Sequence, residues 1–233
     1  MKGSELSDKL WNLYSNYHFS DNDSLLQVNE QVEGTAFFPC GSGLYENSNE
    51  TIDILVLGQD FGTVHYYKEA LSVKDKDLNS PTWKNLISLF NNAGINMSQC
   101  FFSNVYMGVR IKNNMVGKAV PKRKCNLSFI KDNMEFLREQ IKTVNPKAII
   151  TLGNYATSML INSCDSGLTN WSRSGKVSDI TENDVAVFGD LKIPCVALLH
   201  PSMRYANLHK RNAKLSSNDN DGDIEIKLLK EIV

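Results

Sequence analysis

IDILVLGQDFG, residues 52–62, is the stretch of sequence that decides the fold. It starts as an apolar run rich in β-branched side chains and stops at Gly58. Because the run is too short for an isolated helix, it predicts a buried β-strand. The loop that follows carries the carboxylate of Asp60. In open α/β sheets ligands bind at the carboxyl ends of the strands, so this loop is a candidate for half of an active site.

Three further apolar runs predict buried strands, at residues 100–105, 148–152 and 193–199. Helical patterns alternate with them, at residues 5–17, from Ser80 to Gly94, at residues 127–144, after Asn154 and at residues 224–232. This alternation is typical of a parallel sheet that is covered on both faces. We therefore expect an α/β fold with three layers, α/β/α, around a central, mainly parallel four-stranded sheet. We also expect residues 1–233 to form a single domain.

The segments between these elements are predicted to be loops. Residues 63–80 form a long polar excursion that includes a charged patch at residues 74–77. Residues 163–189 are irregular and rich in turn residues, and residues 216–221 form a polar linker. Residues 106–126 are basic and contain no acidic residue, which is compatible with a solvated loop or with contacts to phosphates.

The composition is that of an ordinary globular protein, with 42% hydrophobic and 22% charged residues and a formal net charge of -1. The net charge gives no sign of nucleic-acid binding, so the placement of the basic residues carries more information. The five cysteines have wide spacings and no CxxC pattern, which argues against a disulfide framework or a zinc ribbon. No signal segment and no apolar run of the ~20 residues that a membrane helix needs is present. We expect a cytoplasmic monomer with no membrane partner, metal or cofactor.

Three of the predicted strands end at residues suited to chemistry. Asp60 follows the first strand, Asn104 ends the second and His200 follows the fourth. In a parallel sheet these ends lie along one edge, so a carboxylate, an amide and an imidazole should converge in one crevice. Each residue has a structural alternative, because Asp and Asn are common turn formers and a lone His more often makes a structural hydrogen bond. Gly153 and Asn154, after the third strand, are typical of a strand-to-helix turn that Asn154 could cap.

Four motifs in this order resemble the uracil-DNA glycosylase superfamily. They are GQDFG at residues 58–62, FFSNV at 101–105, LGNYA at 152–156 and HPS at 200–202. LREQIKTVNPKAIITLGNYA is similar to the helix–strand–helix region of the superfamily's bacterial and archaeal branches. The similarity spans roughly residues 52–205, and the ordered set at strand ends is more specific than any one motif. It implies a monofunctional DNA glycosylase that needs no cofactor and leaves an abasic site.

The resemblance implies a role for each matching residue. Asp60 would position or activate the attacking water and stabilise a cationic sugar, and His200 would stabilise negative charge on the departing base. Asn104 would read the polar edge of the base, and the backbone of Gln59 would face it. These residue types suit the reaction, because cleavage of the N-glycosidic bond leaves positive charge on the sugar and negative charge on the base.

The resemblance also implies contacts with DNA. The target nucleotide must leave the base stack, which costs a few kcal/mol. Ser202 would grip a phosphate, and Met203 and Arg204 fall where the superfamily inserts a wedge into the duplex. Arg110 and Lys112, in the basic stretch, are further candidates for contacts with phosphates.

The loop after the first strand departs from the best-known branch of the superfamily. The tyrosine that follows GQDP there, and that blocks bases with a 5-substituent, is replaced by Gly62, and Phe61 stands where proline is usual. We therefore expect a pocket wider than a uracil pocket. The excised base would be uracil or, given the open position, a bulky 5-modified pyrimidine of phage DNA, which would place the enzyme in antiviral defence rather than DNA repair.

No aromatic residue stands where the superfamily's stacking phenylalanine is expected, since the segment EALSV offers only Leu71 there. An aromatic residue elsewhere would take over this role, and the candidates are Phe61, Tyr66, Tyr67 and Trp83. We expect the base to be bound by Gln59, Phe61, Gly62, Tyr66 and Asn104.

Two other functional classes fit the same sequence. A non-catalytic DNA-binding or nucleotide-binding module on this fold would still bind DNA after Asp60→Asn, and neither version would form abasic sites. A hydrolase of free nucleosides or nucleotides would need no wedge, so changes at Met203 and Arg204 would leave its activity unaffected. The sequence contains no Walker or GxGxxG pattern to support a mononucleotide or dinucleotide enzyme.

Overall fold

The computed structural model describes residues 1–34, 36–46, 48–73, 80–112, 117–164, 168, 171, 175–179, 185–189, 191–212 and 223–232. The charged patch at residues 74–77 and the polar linker at residues 216–221 lie outside the described residues.

Helices and strands alternate along most of the chain, as the sequence predicts. The helices of the described part are α1 (Gly3–Ser15), α2 (Val64–Val73), α3 (Pro81–Ala93), α4 (Lys124–Val144), α5 (Gly153–Ser163), α6 (Arg204–Asn212) and α7 (Ile224–Lys230). The strands are β1 (Leu25–Leu26), β2 (Ile54–Gly58), β3 (Cys100–Asn104), β4 (Val109–Arg110), β5 (Ala148–Leu152), β6 (Ala186–Phe188) and β7 (Ile193–Leu198). Short 3₁₀ helices lie at Met97–Gln99, Val177–Asp179 and Pro201–Met203.

The central sheet has the strand order β3-β2-β5-β7-β6. The pairs β2–β3, β2–β5 and β5–β7 are parallel, whereas β6 pairs antiparallel with β7 at the edge. The predicted α/β/α fold with a mainly parallel sheet is therefore confirmed, with five strands instead of four. The additional strand, β6, lies in the segment that the sequence indicates as irregular. Three residues are too few to show a period of two, and only the pairing with β7 defines them as a strand.

Both faces of the sheet are buried under helices. Successive side chains of a strand point to opposite faces, so neighbouring residues of β2 belong to different apolar clusters. Leu55 and Leu57 of β2 belong to an apolar cluster with side chains of α1, α4 and α5. Ile54 and Val56 belong to a second cluster with side chains of α3 and α7. This arrangement explains why β2 is apolar at every position rather than alternating.

Two helix boundaries follow from local sequence signals. The Ser80 hydroxyl accepts the Trp83 N–H at 3.3 Å at the start of α3, with Pro81 in the first turn. Gly94 ends the helix in the left-handed conformation, with φ of 79°. The helix predicted between Ser80 and Gly94 is confirmed, and both of its ends follow these capping preferences.

The polar excursion predicted for residues 63–80 is wrong over its first part, where α2 forms. The Thr63 hydroxyl accepts the Tyr66 N–H at 3.1 Å at the start of this helix. Tyr67 is buried, and its hydroxyl donates to the Glu30 carbonyl at 2.5 Å. The helix was missed because polar side chains interrupt its apolar stripe, so that tertiary packing and not periodicity defines it.

No helix of the described ranges combines the length and the apolar character that crossing a lipid bilayer requires.

Candidate active site

A cavity of about 1170 Å³ lies at the carboxyl ends of the parallel strands. Asp60 after β2, Asn104 at the end of β3 and His200 after β7 all line it, as do Gly153 and Asn154 after β5. Strand β2 has β3 on one side and β5 on the other, so the cavity lies where the strand order changes direction. Ligands bind at such points in open α/β sheets. The structure thus brings the predicted carboxylate, amide and imidazole to one site.

Asp60 is held in place by an ion pair with Arg110. Two guanidinium nitrogens of Arg110, Nε and a terminal one, donate to the same carboxylate oxygen, Oδ2, at 3.0 and 2.7 Å. The other oxygen, Oδ1, accepts the Gly62 N–H at 3.2 Å. The Arg110 side chain is 0% exposed and that of Asp60 5% exposed. The prediction that Arg110 contacts DNA phosphates is wrong, because its charge is buried and compensated within the protein.

Asn104 is fixed at the end of β3 by the backbone around it. Its Nδ2 donates to the Phe38 carbonyl at 3.2 Å, and its side chain is almost fully buried. Asn104 pairs in register with Gly58, where an added Cβ would lie 2.6 Å from the Asn104 Oδ1. Gly58 therefore leaves the room that the amide occupies.

His200 follows β7 and is half-buried. Its Nδ1 lies 2.8 Å from the Ser202 hydroxyl, which leaves Nε2 for other contacts. Burial lowers the pKa of His200 from its ordinary value of 6.5, and the negative charge of Asp60 partly opposes this shift. The site therefore favours a neutral imidazole. Ser202, predicted to bind a phosphate, lies in the Pro201–Met203 turn and its hydroxyl contacts the imidazole.

The turn after β5 makes room for His200. Gly153 has φ of 84°, and an added Cβ would lie 3.1 Å from the His200 Cβ. Helix α5 begins at Gly153, so Asn154 is not its N-cap as the sequence suggested. Instead the Asn154 Oδ1 accepts the Val177 N–H at 2.9 Å and ties a neighbouring loop to the site.

A buried charge network lies behind the His200 turn. The Glu225 carboxylate of α7 accepts the Leu199 N–H at 2.6 Å and bonds from Arg204 at 2.7 Å and Arg211 at 2.5 Å. Arg204 also pairs with Asp223. The prediction that Arg204 acts as a wedge or binds DNA is wrong, because its side chain is turned inward and only 7% of the residue is exposed.

The wall of the cavity next to Asp60 is aromatic. The rings of Phe61 and Tyr66 lie 5.5 Å apart, centre to centre, and both residues line the cavity with Gly62 and Gln59. Gly62 has φ of 107°, and an added Cβ would lie 3.6 Å from the Tyr66 ring. The glycine is thus required by the backbone conformation as well as leaving space. Gln59 Nε2 donates to the Lys118 carbonyl at 2.6 Å.

The four candidates for the residue that stacks on the base differ in whether they line the cavity. Phe61, Tyr66 and Trp83 line the cavity, whereas the hydroxyl of the buried Tyr67 is bonded to a backbone carbonyl within the core. Phe37, which no sequence signal singles out, also lines the cavity. A Cβ at Gly58 would lie 3.3 Å from the Phe37 ring, so this ring flanks the position where β2 ends. The proline and two glycines of FFPCGSG, residues 37–43, indicate only a loop. A loop prediction does not tell which part of the fold Phe37 contacts.

Several exposed side chains are of the kinds expected at a DNA contact. Met203 is 56% exposed and lines the cavity. Lys112, Lys118, Lys122 and Lys124 are exposed, unlike Arg110. Tyr205 is also exposed, two residues after Met203, and was not singled out in the sequence. Within the described ranges, no group of three or more His, Cys, Asp or Glu side chains is placed to hold a metal ion.

Comparison with models of protein families relates the chain to a known family. The family model described as the uracil DNA glycosylase superfamily matches residues 46–220, which is most of the chain. A search of curated proteins finds no matching relative. The matched region contains the ends of β2, β3, β5 and β7, and hence the residues that line the cavity at these four ends. The match supports DNA glycosylase activity, and with it DNA binding, as the general function. The chain belongs to the uracil DNA glycosylase superfamily.

Proposed function

We propose that this protein is a monofunctional DNA glycosylase that flips a pyrimidine nucleotide out of DNA and hydrolyses its N-glycosidic bond. The observation that carries the proposal is that Asp60, Asn104 and His200 line one cavity in a chain of this superfamily. A carboxylate, an amide and a neutral imidazole are the groups that this reaction needs. We further propose that residues 1–233 act as one domain, because α1 and α7 both pack on the central sheet. We also propose that the protein acts as a monomer.

The proposed reaction begins when the bond between C1′ of the deoxyribose and the base nitrogen breaks. The bonding electrons leave with the base, so positive charge develops on the sugar and negative charge on the base. Asp60 stabilises the sugar cation, orients the water that attacks C1′ and accepts a proton from that water as the C1′–O bond forms. His200 Nε2 donates a hydrogen bond to the departing base, and Asn104 holds its polar edge. The base anion takes up a proton from solvent after it has left. A fixed carboxylate and a fixed donor lower the barrier, because neither must reorganise as the charges develop.

The size of the cavity supports a substrate larger than uracil. Pockets for drug-sized ligands measure about 300–1000 Å³, whereas this cavity measures about 1170 Å³. Phe37, Gln59 and Asn104 line the cavity, and so do Gly62 and Tyr66. We propose that a bulky 5-substituent of a modified pyrimidine occupies this volume. Such bases occur in phage DNA, so the enzyme would act in antiviral defence.

The proposed DNA contacts involve fewer residues than the sequence analysis suggested. Met203 remains the proposed wedge, since it is exposed at the rim of the cavity. Lys112, together with exposed lysines of residues 118–124, is proposed to bind phosphates. The Ser202 hydroxyl is proposed to donate to Nδ1 of His200, which keeps the imidazole proton on Nε2. A phosphate is proposed to be contacted by the backbone N–H of Ser202.

A glycosylase assay tests the proposal. The protein is incubated with single-stranded and duplex oligonucleotides that contain uracil, normal bases, or cytosine or uracil with a bulky 5-substituent, and abasic sites are detected by alkaline cleavage. We expect cleavage of the 5-modified DNA, and none with Asp60→Asn.

The other outcomes identify the alternatives. Strong cleavage of uracil DNA with no action on modified DNA would refute the wide-pocket substrate but not the glycosylase. DNA binding without abasic sites for either version would indicate a binding module. Hydrolysis of free nucleosides that is insensitive to Met203→Gly would indicate a nucleoside hydrolase.

A further inference from the structure

The two oxygens of the Asp60 carboxylate have different surroundings. Oδ2 accepts two bonds from Arg110, at 3.0 and 2.7 Å, whereas Oδ1 accepts the Gly62 N–H at 3.2 Å. A carboxylate oxygen has room for more than one donor. The guanidinium therefore occupies one oxygen and leaves the other with capacity for a further partner.

The ion pair presents its negative member to the cavity. Asp60 lines the cavity, whereas the Arg110 side chain is fully buried. A positive charge that develops in the cavity therefore lies nearer to the carboxylate than to the guanidinium, and the nearer charge has the larger electrostatic effect. The burial of Arg110 also excludes it from direct contact with a DNA phosphate in this conformation.

Arg110 is itself fixed by its neighbours. Its backbone N–H donates to the Gly62 carbonyl at 2.6 Å, and a terminal nitrogen donates to the Lys118 carbonyl at 2.9 Å. The same carbonyl accepts Gln59 Nε2 at 2.6 Å, and the guanidinium carbon lies 5.9 Å from the centre of the Tyr106 ring. Buried ion pairs are often no more stabilising than apolar side chains of similar volume. Stability alone is therefore a weak reason for a guanidinium at this position.

We propose that Arg110 is a positioning residue, which fixes Asp60 so that Oδ1 faces the sugar of the flipped nucleotide as positive charge develops there. This inference rests on the proposed function, because it takes Asp60 as the residue that acts on the sugar. A fixed charge is effective in a transition state because it requires no reorganisation. A displacement of about 1 Å can cost on the order of 100-fold in rate, and we expect a loss of this order in the single-turnover rate of Arg110→Met.

The test compares binding to two DNA duplexes that differ at one sugar. One contains a cationic pyrrolidine abasic analogue, and the other contains a neutral tetrahydrofuran analogue. We expect the wild type to prefer the cationic duplex, and Asp60→Asn and Arg110→Met to lose this preference. The matched control is Lys147→Met, which breaks the 2.9 Å pair between Lys147 and Asp53 at the opposite edge of the sheet and should keep it.

Arg110→Lys adds a variant that disturbs the core less. Lysine keeps the positive charge but cannot hold one carboxylate oxygen with two nitrogens of a planar group. We expect its preference for the cationic duplex to lie between those of the wild type and Arg110→Met. Thermal unfolding of each variant identifies the folded ones, and Arg110→Lys alone decides the question if Arg110→Met does not fold.

The remaining outcomes each refute a defined statement. If Asp60→Asn loses the preference but the Arg110 variants keep or increase it, the inference is refuted and the proposed function stands. The inference is also refuted if Arg110→Met weakens both complexes equally and lowers the salt dependence, as removal of a phosphate contact would. If the wild type shows no preference, the proposed role of Asp60 fails and the inference fails with it.

Discussion

Replacement of Glu225 tests the buried charge network behind the His200 turn. The carboxylate is fully buried and is the common acceptor for Arg204, Arg211 and the Leu199 N–H. Glutamine keeps the shape of the side chain but retains only one acceptor oxygen, and it directs an NH₂ group toward a donor. At least one buried guanidinium therefore loses its partner in Glu225→Gln.

The magnitude follows from the charges of the network. Glu225 and Asp223 balance the positive charges of Arg204 and Arg211, so the substitution leaves one positive charge uncompensated in the interior. Breaking a buried pair by removing one partner costs about 3–5 kcal/mol. At about 2–4 °C per kcal/mol for a chain of this size, the melting temperature should fall by about 6–20 °C.

Urea and thermal unfolding, followed by circular dichroism at one pH, measure this loss. The matched control is Glu139→Gln, whose ion pair with Lys142 is exposed and whose effect should stay within about 0.5 kcal/mol. An unfolding free energy of Glu225→Gln within about 1 kcal/mol of the wild type would show that the network does not carry the predicted share of stability. Because Leu199 directly precedes His200, we also expect the folded fraction of the variant to have reduced activity.

Three further predictions concern the site itself. Gly58→Ala places a Cβ 2.6 Å from the Asn104 Oδ1, so urea unfolding should show a loss of about 1–3 kcal/mol, and an unchanged stability would contradict the packing. NMR titration should place the pKa of His200 below 6.5. The pKa of His200 should be lower still in Asp60→Asn, because the opposing negative charge is gone; a pKa in this variant equal to or above that of the wild type would contradict the prediction. Met203→Gly should slow single-turnover excision from duplex DNA roughly tenfold or more but leave single strands unaffected, since only the duplex must be unstacked. Equal losses on both substrates would exclude a wedge.

The sequence predicted the four parallel strands and the convergence of their ends, because buried strands are apolar at every position and parallel strands share one edge. It did not predict the edge strand β6 or helix α2, which are defined by packing against neighbours rather than by their own periodicity. The same limit applies to Phe37. Phe37 lies in a loop that precedes β2, and its place in the cavity depends on how this loop packs against Gly58 at the end of the strand.

The arginines show a different limit of sequence analysis. Arg110 and Arg204 lie in basic stretches, and positive charge in such stretches predicts contacts with phosphates. Both are buried instead, against Asp60 and against Glu225 with Asp223, respectively. The acidic partner of each arginine is distant in sequence, so local charge patterning could not reveal the pairing.

The central position of β2 has a consequence for how activity is lost. Its neighbours β3 and β5 are added later along the chain, and the cavity draws residues from Ala36 to Asn207. No short fragment of the chain can therefore assemble the site, and folding through such long-range pairings is slow. A nascent or proteolysed chain should therefore leave DNA intact, and activity should appear only when the whole sheet has formed.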